Sequence, residues 1–472
     1  MARSGVTRHP SIRGARGVAA TYFREVRAFP APARHFLAAS ILAGINAGVS
    51  GVLLALFLRA TGAGEGDLGR LLSLGSVGAA VGAIAGGPVI DRWGPWRALV
   101  GGTIVTGIGL ATVLASDGAP SLSAGLLLGG FGAVVVYLAV PPYLGAVVGP
   151  TTGPYLFGVA GAAYVASTAA GGLLGGLLPD AIRVITGSGS DATTYRLALG
   201  AGAACSALGI PFLLAARTDP EARTAATAPG VSPGGSAVGT SPEASAVSRA
   251  VRGVGGFLGA WRDPAVRADT LRFVATDGLL RLGGNMVVPF FSVYFVHELG
   301  ASESWYGILR VVERAIEVVA MLGVAPLAAR FGTVATIAWT QALSVPMLLG
   351  LGHAPGLLSA SLVFLARGTL MEMTVPLRDS FMMGRLPAGA RATGSAAVMV
   401  SGYALAFVGV RAGGALNEAG LRHVAYLATA ALYLLGAIAF ARVFRPGRQS
   451  RDLASDSPDR PGNDSGVRPD GL

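Results

Sequence analysis

The chain of 472 residues is 52% hydrophobic and only 13% charged, about half the charged fraction of an average soluble domain. All 36 basic residues are arginine, so a Walker A loop, which requires lysine, is excluded together with ATP hydrolysis by that route. One cysteine excludes an internal disulfide framework, and the five scattered histidines form no HExxH motif. We therefore expect neither a cofactor nor a bound metal.

Long apolar stretches separate the charged residues along the chain. A helix needs about 20 apolar residues to cross roughly 30 Å of hydrocarbon. Twelve such stretches predict an all-α integral membrane protein with twelve transmembrane helices. The predicted spans are 36–58, 70–90, 98–116, 121–147, 155–178, 195–215, 271–296, 305–328, 333–352, 357–377, 393–416 and 423–444.

The arginines are distributed unequally between the two sides that these spans define. With the N-terminus in the cytoplasm, 26 of the 36 arginines lie in cytoplasmic segments and five lie on the opposite side. This bias satisfies the positive-inside rule and predicts a multi-pass protein of the cell membrane with both termini in the cytoplasm. The net charge of +11 is therefore assigned to topology and to attraction by anionic lipids, not to nucleic-acid binding.

The predicted spans form two groups of six on either side of a segment rich in Ala, Pro, Gly, Ser and Thr, a composition typical of a flexible linker. This pattern predicts two helical bundles with polar segments before, between and after them. The predicted parts are a cytoplasmic N-terminal segment (1–35), an N-terminal six-helix bundle (36–217), a cytoplasmic linker (218–268), a C-terminal six-helix bundle (269–445) and a disordered cytoplasmic tail (446–472).

The two groups of six resemble each other at a fixed offset of 238 residues, at which Gly62–Glu65 aligns with Gly300–Glu303. Identities at the same offset are Phe57 with Phe295, Gly69 with Gly307, Pro88 with Pro326, Arg92 with Arg330 and Gly94 with Gly332. Parallel repeats of six helices are typical of transporters, whose binding site lies between the repeats near the bilayer midplane.

The loop between the second and third predicted spans reads GPVIDRWGPWR. It resembles the GxxxDRxGxR signature of the major facilitator superfamily in Gly87, Asp91, Arg92 and Gly94, with the last basic residue displaced to Arg97. The resemblance implies the major facilitator fold, in which two six-helix repeats alternate access to a central cavity, and a protein that acts as a monomer. The alternative interpretation is a tight cytoplasmic turn rich in Gly and Pro.

In that family, the acidic residue of this loop holds the two halves together on the cytoplasmic side when the cavity opens outward. The second copy of the loop keeps Arg330 and Gly332 but has Ala325 and Ala329 in place of the first glycine and the aspartate of the signature. The resemblance therefore implies a gating role for the loop residues. The candidate gating residues are Gly87, Asp91, Arg92, Gly94, Arg97 and Arg330.

Ionisable residues occur within several spans. Placing such a side chain in hydrocarbon costs free energy, so its presence there indicates a functional role by default. The eighth span carries four charges at i, i+3, i+4 and i+7, a spacing that places them on one helical face. The candidate site residues within spans are Asp277, Arg281 and Asn285 in the seventh, Arg310, Glu313, Arg314 and Glu317 in the eighth, Arg367 and Glu372 in the tenth, and Arg411 in the eleventh. The first half has no equivalent charges, so the site is predicted mainly in the second half.

These residues suit two roles. Desolvation and a neighbouring arginine act in opposite directions on a carboxylate, which can then bind or release a proton as a cavity opens. Candidate proton-coupling residues are Glu317, Glu313, Glu372 and Asp277. Candidate substrate-binding residues are Arg281, Asn285, Arg310, Arg314, Arg367 and Arg411, and arginines in this number favour an anionic group such as a carboxylate. The alternative interpretation is a buried salt-bridge network that fixes helix packing.

The predicted function is secondary active transport, with proton-coupled export of a small organic compound as the first choice and proton symport inward as the second. Export is suggested by Gly171–Gly176, which, with Pro179, resembles a motif of drug exporters, although close packing of the fifth span against the eighth is an alternative. A non-transporting sensor or scaffold and an intramembrane enzyme belong to other classes. No nucleophile–base pair or metal-ligand spacing occurs within the spans, so we predict no enzyme. The expected partners are the lipid bilayer, a small-molecule substrate and protons.

Overall fold

The computed structural model describes residues 26–116, 118–148, 152–187, 189–217, 264–386 and 391–445, and these ranges contain helices and turns without strands. The helices of the first half are α1 (Ala31–Ala60), α2 (Glu65–Trp93), α3 (Pro95–Ala115), α4 (Ala119–Val147), α5 (Gly153–Thr186) and α6 (Asp191–Ala215). Those of the second half are α7 (Pro264–Val287), α8 (Glu303–Phe331), α9 (Thr333–Gly352), α10a (Leu357–Glu372), α10b (Val375–Arg385), α11 (Arg391–Glu418) and α12 (Arg422–Val443).

α7 continues beyond Val287 in a broken form that we call the α7 extension (288–298). It consists of a 3₁₀ turn at Val288–Phe290, a single helical turn at Phe291–Val293 and a π turn at Tyr294–Glu298. Three consecutive helix types thus occupy the eleven residues of this extension.

Parts of the predicted polar segments lie outside the described residues, namely 1–25, 218–263 and 446–472. α1 and α7 begin at Ala31 and Pro264, five residues before the predicted starts of the two bundles. Proline in a first helical turn is compatible with this early start, because the missing N–H would have had no partner within the helix.

Eleven helical stretches in the described part of the chain are long and apolar enough to cross a membrane. They include each helix named above except α8, with α7 and its extension forming one stretch and α10a with α10b forming another. α8 has 29 residues, which is sufficient length, but its six charged residues lower its apolarity. The count of eleven differs from the twelve predicted spans because α8 carries charged residues that are also candidate functional residues.

α2 and α8 end in turns of the same conformation. Gly94 and Gly332 have φ values of +82° and +86°, which glycine adopts without the steric cost of a Cβ atom. The backbone N–H of each donates at 2.8 Å to the carbonyl four residues earlier, of Ile90 and Ala328 respectively. The sequence identity at an offset of 238 thus corresponds to a shared backbone geometry.

The helices of the two halves pack in equivalent pairs. α1 packs on α5 and α6 as α7 packs on α11 and α12, while α3 packs on α4 as α9 packs on α10a. Close backbone approach at glycine supports these contacts: a Cβ atom on Gly171 would lie 2.1 Å from the carbonyl oxygen of Ile45, and one on Gly409 would lie 2.4 Å from that of Leu282. Glycine therefore permits the same helix contact in both halves.

The halves meet through α2 with α11 and through α5 with α8. A Cβ atom on Gly69 would lie 2.7 Å from Cα of Gly414, and one on Gly307 would lie 2.9 Å from Cα of Gly176. Gly69 and Gly307 are 238 residues apart, as are Gly176 and Gly414. The two contacts across the halves are therefore counterparts of each other.

The two ends of the helices differ in how the halves meet. We call the end where α1 begins and α6 ends the linker end, and the opposite end the far end. At the far end, one buried core contains residues of both halves, among them Phe57 and Tyr195 with Phe291 and Phe364. At the linker end, each half has its own buried core, and α11 contacts that of the first half through buried Ala396 and partly buried Met399, Val400 and Tyr403. The halves are thus closed together at the far end.

Candidate functional site

Four charged residues in the middle of α8 form two ion pairs along the helix. Arg310 pairs with Glu313, and Nη1 of Arg314 donates to Oε2 of Glu317 at 2.6 Å. The glutamate side chains are 4% and 3% exposed, whereas the arginine side chains are 28% and 38% exposed. α10a covers the first pair closely, because a Cβ atom on Gly368 would lie 2.4 Å from Oε1 of Glu313. α8 therefore buries its carboxylates and leaves their arginine partners partly exposed.

Arg367 lies in an aromatic enclosure inside the second half. Its Nη2 donates to the hydroxyl of Tyr433 at 2.5 Å, and its guanidinium lies 5.6 Å and 5.7 Å from the ring centroids of Phe291 and Tyr433. Its Nε is buried and has no hydrogen-bond partner among the described residues. Cation–π contacts of this kind stabilise a buried guanidinium. Arg367 thus fastens α10a to α12 and the α7 extension.

A second ion network joins α7 to α10b around Asp277. Oδ2 of Asp277 accepts from Nε of Arg281 at 2.5 Å, and Oδ1 accepts from Nη1 of Arg378 at 2.8 Å. The side chains of Asp277 and Arg378 are 18% and 20% exposed, and that of Arg281 is 46% exposed. We call these three residues the Asp277 triad. Arg378 is not among the predicted site residues, because the predicted tenth span stops one residue before it.

A cavity of about 100 Å³ lies beside the Asp277 triad, between the halves. Its walls are Tyr137 of α4, Arg281 of α7, and Val398, Met399 and Tyr403 of α11. This lining offers a guanidinium group, two phenol hydroxyls and apolar surface to a small molecule. The cavity is built by both halves, as a site between repeats requires.

The other candidates in the spans lie apart from these networks. Asn285 donates from Nδ2 to the backbone carbonyl of Arg281 at 2.8 Å, one turn earlier on α7. Arg411 of α11 is exposed and forms no ion pair with a described residue. Glu372 is half-buried and also forms no ion pair with a described residue, although its charge acts on Arg310 and Arg367. The ten predicted site residues of the spans are therefore not one cluster.

The predicted gating residues lie at the linker end. The exposed ones are Asp91, Arg92, Arg97 and Arg330. Gly87 is buried within α2, Gly94 forms the turn described above, and the guanidinium of Arg330 lies 5.3 Å from the ring centroid of Phe331. They lie at the end where each half has its own buried core, and their gating role stays a prediction.

A network at the far end joins α5 and α6 to α8. Its residues are not among the site residues predicted from the sequence. Oε1 of Glu303 accepts from Nη2 of Arg183 at 2.7 Å and from the hydroxyl of Tyr195 at 2.6 Å. Oγ of Ser304 donates to Oδ2 of Asp180 at 2.8 Å. The Glu303 side chain is 8% exposed, so its charge depends on these partners. We call these five residues the far-end network.

The sequence contains one signal for this network. Glu303 aligns with Glu65 at the offset of 238, and Glu65 is also ion-paired, to Nε of Arg59 at 3.6 Å. The partner of Glu65 belongs to its own half, whereas the partner Arg183 of Glu303 belongs to the other half and is 120 residues away. The repeat indicates an acidic position but not its partner.

The glycines of α5 that resemble an exporter motif are positions of close packing. A Cβ atom on Gly176 would lie 2.7 Å from the carbonyl oxygen of Glu303 and 2.9 Å from Cα of Gly307. One on Gly175 would lie 3.1 Å from Cα of Val49. α5 is therefore held between α1 and α8, as the packing interpretation expects, and the direction of transport stays a prediction.

Comparison with known proteins places this architecture in a family. Residues 36–409 match the family model of the Major Facilitator Superfamily. Similar solved structures include the nucleoside transporter NupG (TM-score 0.65, 14% identity, covering 88% of this chain and 99% of that one) and a D-xylose-proton symporter (TM-score 0.62, 14% identity, 89% and 97%). The human organic anion transporter MFSD10 (TETRAN) is also similar (TM-score 0.55, 15% identity, 87% and 99%). No curated protein gives a significant sequence match. The chain belongs to the Major Facilitator Superfamily and is a transporter, not an enzyme.

Proposed function

We propose that this protein is a proton-coupled secondary transporter that exports a small organic anion by alternating access. The observation that carries the proposal is the cavity at Arg281, which both halves line and which lies beside the Asp277 triad. A guanidinium in a cavity between two repeats provides a point of attraction for an anion at the place where alternating access requires one.

In this proposal α8 is the twelfth crossing, and the chain acts as a monomer with its termini and linker in the cytoplasm. Charged residues are tolerated in a membrane helix when they pair and face protein or water. α8 meets this condition because its charges pair along the helix and it packs against α5 and α10a. The arginine bias supports the same orientation.

With the linker end in the cytoplasm, the closed far end makes this conformation inward-facing. Opening the cavity outward then requires separation of the contact of Gly69 with Gly414 and that of Gly307 with Gly176. The far-end network must break in the same step. The gating residues around Asp91 act, in this proposal, when the linker end closes.

The proposed substrate contact is Arg281, with Tyr137 and Tyr403 beside it. Arg310 and Arg314 are partly exposed, so they are suited to contact the substrate as it moves past α8. Asn285, Arg367 and Arg411 do not line this cavity, and a contact with them would require a different conformation.

The proposed proton-coupling residue is Glu317, followed by Glu313 and Glu372. The Glu317 carboxylate is buried, but its partner Arg314 is 38% exposed and can move away as α8 moves. A buried carboxylate that loses its cation is strongly destabilised, and binding a proton removes the charge. Asp277 comes last among the candidates, because two arginines stabilise its charge in this conformation.

Uptake with protons is the second candidate. It is favoured by one structurally similar protein, the D-xylose-proton symporter, although the likeness extends to the fold alone. Export and uptake use the same residues. In export the substrate and the proton cross in opposite directions, whereas in uptake they cross together.

The test is a screen of small carboxylic acids with the purified protein in liposomes that contain a pH dye. We expect a substrate-dependent proton flux in wild type that is lost in Glu317→Gln. The matched control is Asp67→Asn, which removes a carboxylate that is 56% exposed and paired at the surface with Arg70, and it should keep the flux. The sign of the flux under an imposed gradient separates export from uptake.

Two outcomes would contradict the proposal. Equal proton flux in wild type and Glu317→Gln would remove Glu317 from the coupling role. No movement of protons or of any tested acid would favour the alternative of a non-transporting sensor or scaffold.

A further inference from the structure

Glu372 of α10a lies beside the ion pairs of α8 without joining them. A Cβ atom on Gly368 would lie 2.4 Å from Oε1 of Glu313, and α8 and α10a both run from the far end to the linker end. One helical turn further along each helix, Glu372 is level with Glu317, and its charge acts on the Glu317 carboxylate. Glu372 is half-buried and forms no ion pair with a described residue. Its carboxylate is therefore available to a cationic group.

Arg314 offers N–H groups on the side of α8 that faces α5. A Cβ atom on Gly172 of α5 would lie 3.8 Å from Cβ of Arg310, and Arg314 follows Arg310 by one turn on the same face. Nη1 of Arg314 donates to Glu317 at 2.6 Å, and this is its only hydrogen bond to a described residue. The Arg314 side chain is 38% exposed. Its remaining N–H groups can therefore bind a second carboxylate.

Tyr164 brings a phenol hydroxyl from α5 to the level of Arg314. A Cβ atom on Gly307 would lie 2.8 Å from the carbonyl oxygen of Gly172, and α5 runs in the opposite direction to α8. Toward the linker end, Tyr164 is about 12 Å from Gly172 and Arg314 is about 10 Å from Gly307. The charge of Arg314 acts on Tyr164, which is 46% exposed and forms no hydrogen bond with a described residue. A carboxylate between α5 and α8 would thus meet donors from both halves.

The formal charges of α8 and α10a around these groups cancel. Six side chains interact electrostatically there, three of each sign. They are Arg310, Arg314, Arg367, Glu313, Glu317 and Glu372. Because a net charge is costly within the membrane, a ligand with one positive and one negative group suits this cluster better than an anion or a cation.

We propose that this cluster, together with Tyr164, is a second ligand site that binds an aminocarboxylate zwitterion. The ligand carboxylate binds Arg314 and Tyr164, and the ligand ammonium group binds Glu372. Arg314 lies on the α5 side of α8 and Glu372 on the α10a side, so a short carbon chain separates the two charged groups of the ligand. The inference goes beyond the proposed function, which places a carboxylate at Arg281, and it is tested by binding without transport.

The experiment is equilibrium binding of radiolabelled 4-aminobutyrate, butyrate and butylamine to the purified full-length protein at pH 7. The three ligands share a chain of four carbon atoms and carry net charges of 0, −1 and +1. We expect wild type to bind 4-aminobutyrate about tenfold more tightly than butyrate or butylamine, because each of the other two makes only one of the charged contacts.

The variants remove one ligand contact at a time. In Glu372→Gln we expect 4-aminobutyrate to bind about tenfold more weakly and to lose its advantage over butyrate. Tyr164→Phe should weaken 4-aminobutyrate and butyrate about fivefold each and leave butylamine unchanged. Two matched controls should keep the wild-type affinities. Thr168→Val, one turn from Tyr164, removes a hydroxyl that donates within α5 to the carbonyl of Val165 at 2.8 Å, and Asp67→Asn removes a carboxylate that is 56% exposed.

The inference is overturned if wild type binds none of the three ligands, if butyrate or butylamine binds as tightly as 4-aminobutyrate, or if Glu372→Gln keeps the tenfold preference. These results are distinguishable from failure of the proposed function. Absence of the binding preference beside normal proton flux with simple carboxylic acids contradicts the zwitterion site alone. The expected binding preference with no transport in liposomes contradicts the proposed function and leaves the zwitterion site standing.

Discussion

α2 and α8 hold equivalent positions in the two halves, 238 residues apart, yet their side chains differ in polarity. Both end at a glycine with positive φ, and each contacts the other half through a glycine, Gly69 or Gly307. The face of α8 that carries Arg310, Glu313, Arg314 and Glu317 corresponds in α2 to Leu72, Gly75, Ser76 and Ala79. Since α2 makes its contact without these charges, packing between the halves does not explain why α8 has them.

The far ends of the two helices differ in a second way. Glu65 of α2 pairs with Arg59 of its own half at 3.6 Å, whereas Glu303 of α8 pairs with Arg183 of the other half at 2.7 Å. The α5–α8 contact is therefore held by ionic hydrogen bonds across the halves, and the α2–α11 contact depends more on close packing.

The largest effect is expected when one residue of an α8 ion pair is replaced by the residue at the equivalent position of α2. Arg314→Ser leaves the Glu317 carboxylate buried without a cation, which should lower the free energy of unfolding by about 4 kcal/mol. Arg314→Ser with Glu317→Ala removes both charges and should recover most of that loss while proton flux is abolished. Unfolding of the purified protein and flux in liposomes measure the two effects. A single variant as stable as wild type would show that the pair is solvated.

The next effect comes from the glycine contacts. Gly307→Leu and Gly69→Leu each place a side chain against backbone of the other half, which should destabilise the closed far end by about 3 kcal/mol in both cases. Gly323→Leu is the control within α8, because no atom lies within 4 Å of a Cβ at that position.

Spin labels across the far end report this opening. Ile185 and Ala419 are exposed on opposite halves, and Cys205→Ser removes the native cysteine before cysteines are introduced at both positions. We expect longer distances in the two contact variants and the wild-type distance in Gly323→Leu. Unchanged distances in Gly307→Leu would show that the contact does not hold the far end closed.

A smaller effect should distinguish the two acidic counterparts. Glu303→Gln weakens the hydrogen bonds from Arg183 and Tyr195 and should destabilise the closed far end by about 2 kcal/mol. Glu65→Gln affects a longer, partly exposed ion pair within one half. It should change the stability of the closed far end by less than about 0.5 kcal/mol. The same spin-label distances give the measurement. Equal shifts in both variants would remove the distinction between the two contacts.

The smallest effect concerns Ser304, whose counterpart in α2 is Gly66. Ser304→Ala removes the hydrogen bond to Asp180, a carboxylate that is 56% exposed and can bind water instead. We expect a change of about 0.5 kcal/mol in the closed population. A change as large as that of Glu303→Gln would make Ser304 a principal part of the far-end network.

The sequence was sufficient to predict features that depend on local spacing. The intervals between Arg310, Glu313, Arg314 and Glu317 place them on one helical face, and the structure has them there as two pairs. The aligned Gly94 and Gly332 predict related turns, and both have positive φ. The family and the helical membrane architecture also follow from the sequence.

Contacts between distant residues could not be predicted in this way. Arg183 and Glu303 are separated by 120 residues, so only the packing of α5 on α8 brings them together. Arg367 was grouped with the other interior charges because it interrupts an apolar span, but aromatic rings enclose it within the second half. Arg378 lies beyond the end of the predicted span at 377, because hydropathy falls before the helix ends at Arg385.

The α7 extension has a consequence for biosynthesis. In hydrocarbon, backbone that departs from the α-helical hydrogen-bond pattern must be covered by protein. The rings that cover Phe291 and Phe295 belong to Phe364 of α10a and Tyr306 of α8, at centroid distances of 5.3 Å and 5.6 Å. These helices leave the ribosome after α7. The far part of α7 therefore reaches its final form only when later helices arrive, which makes insertion of the second half a concerted event.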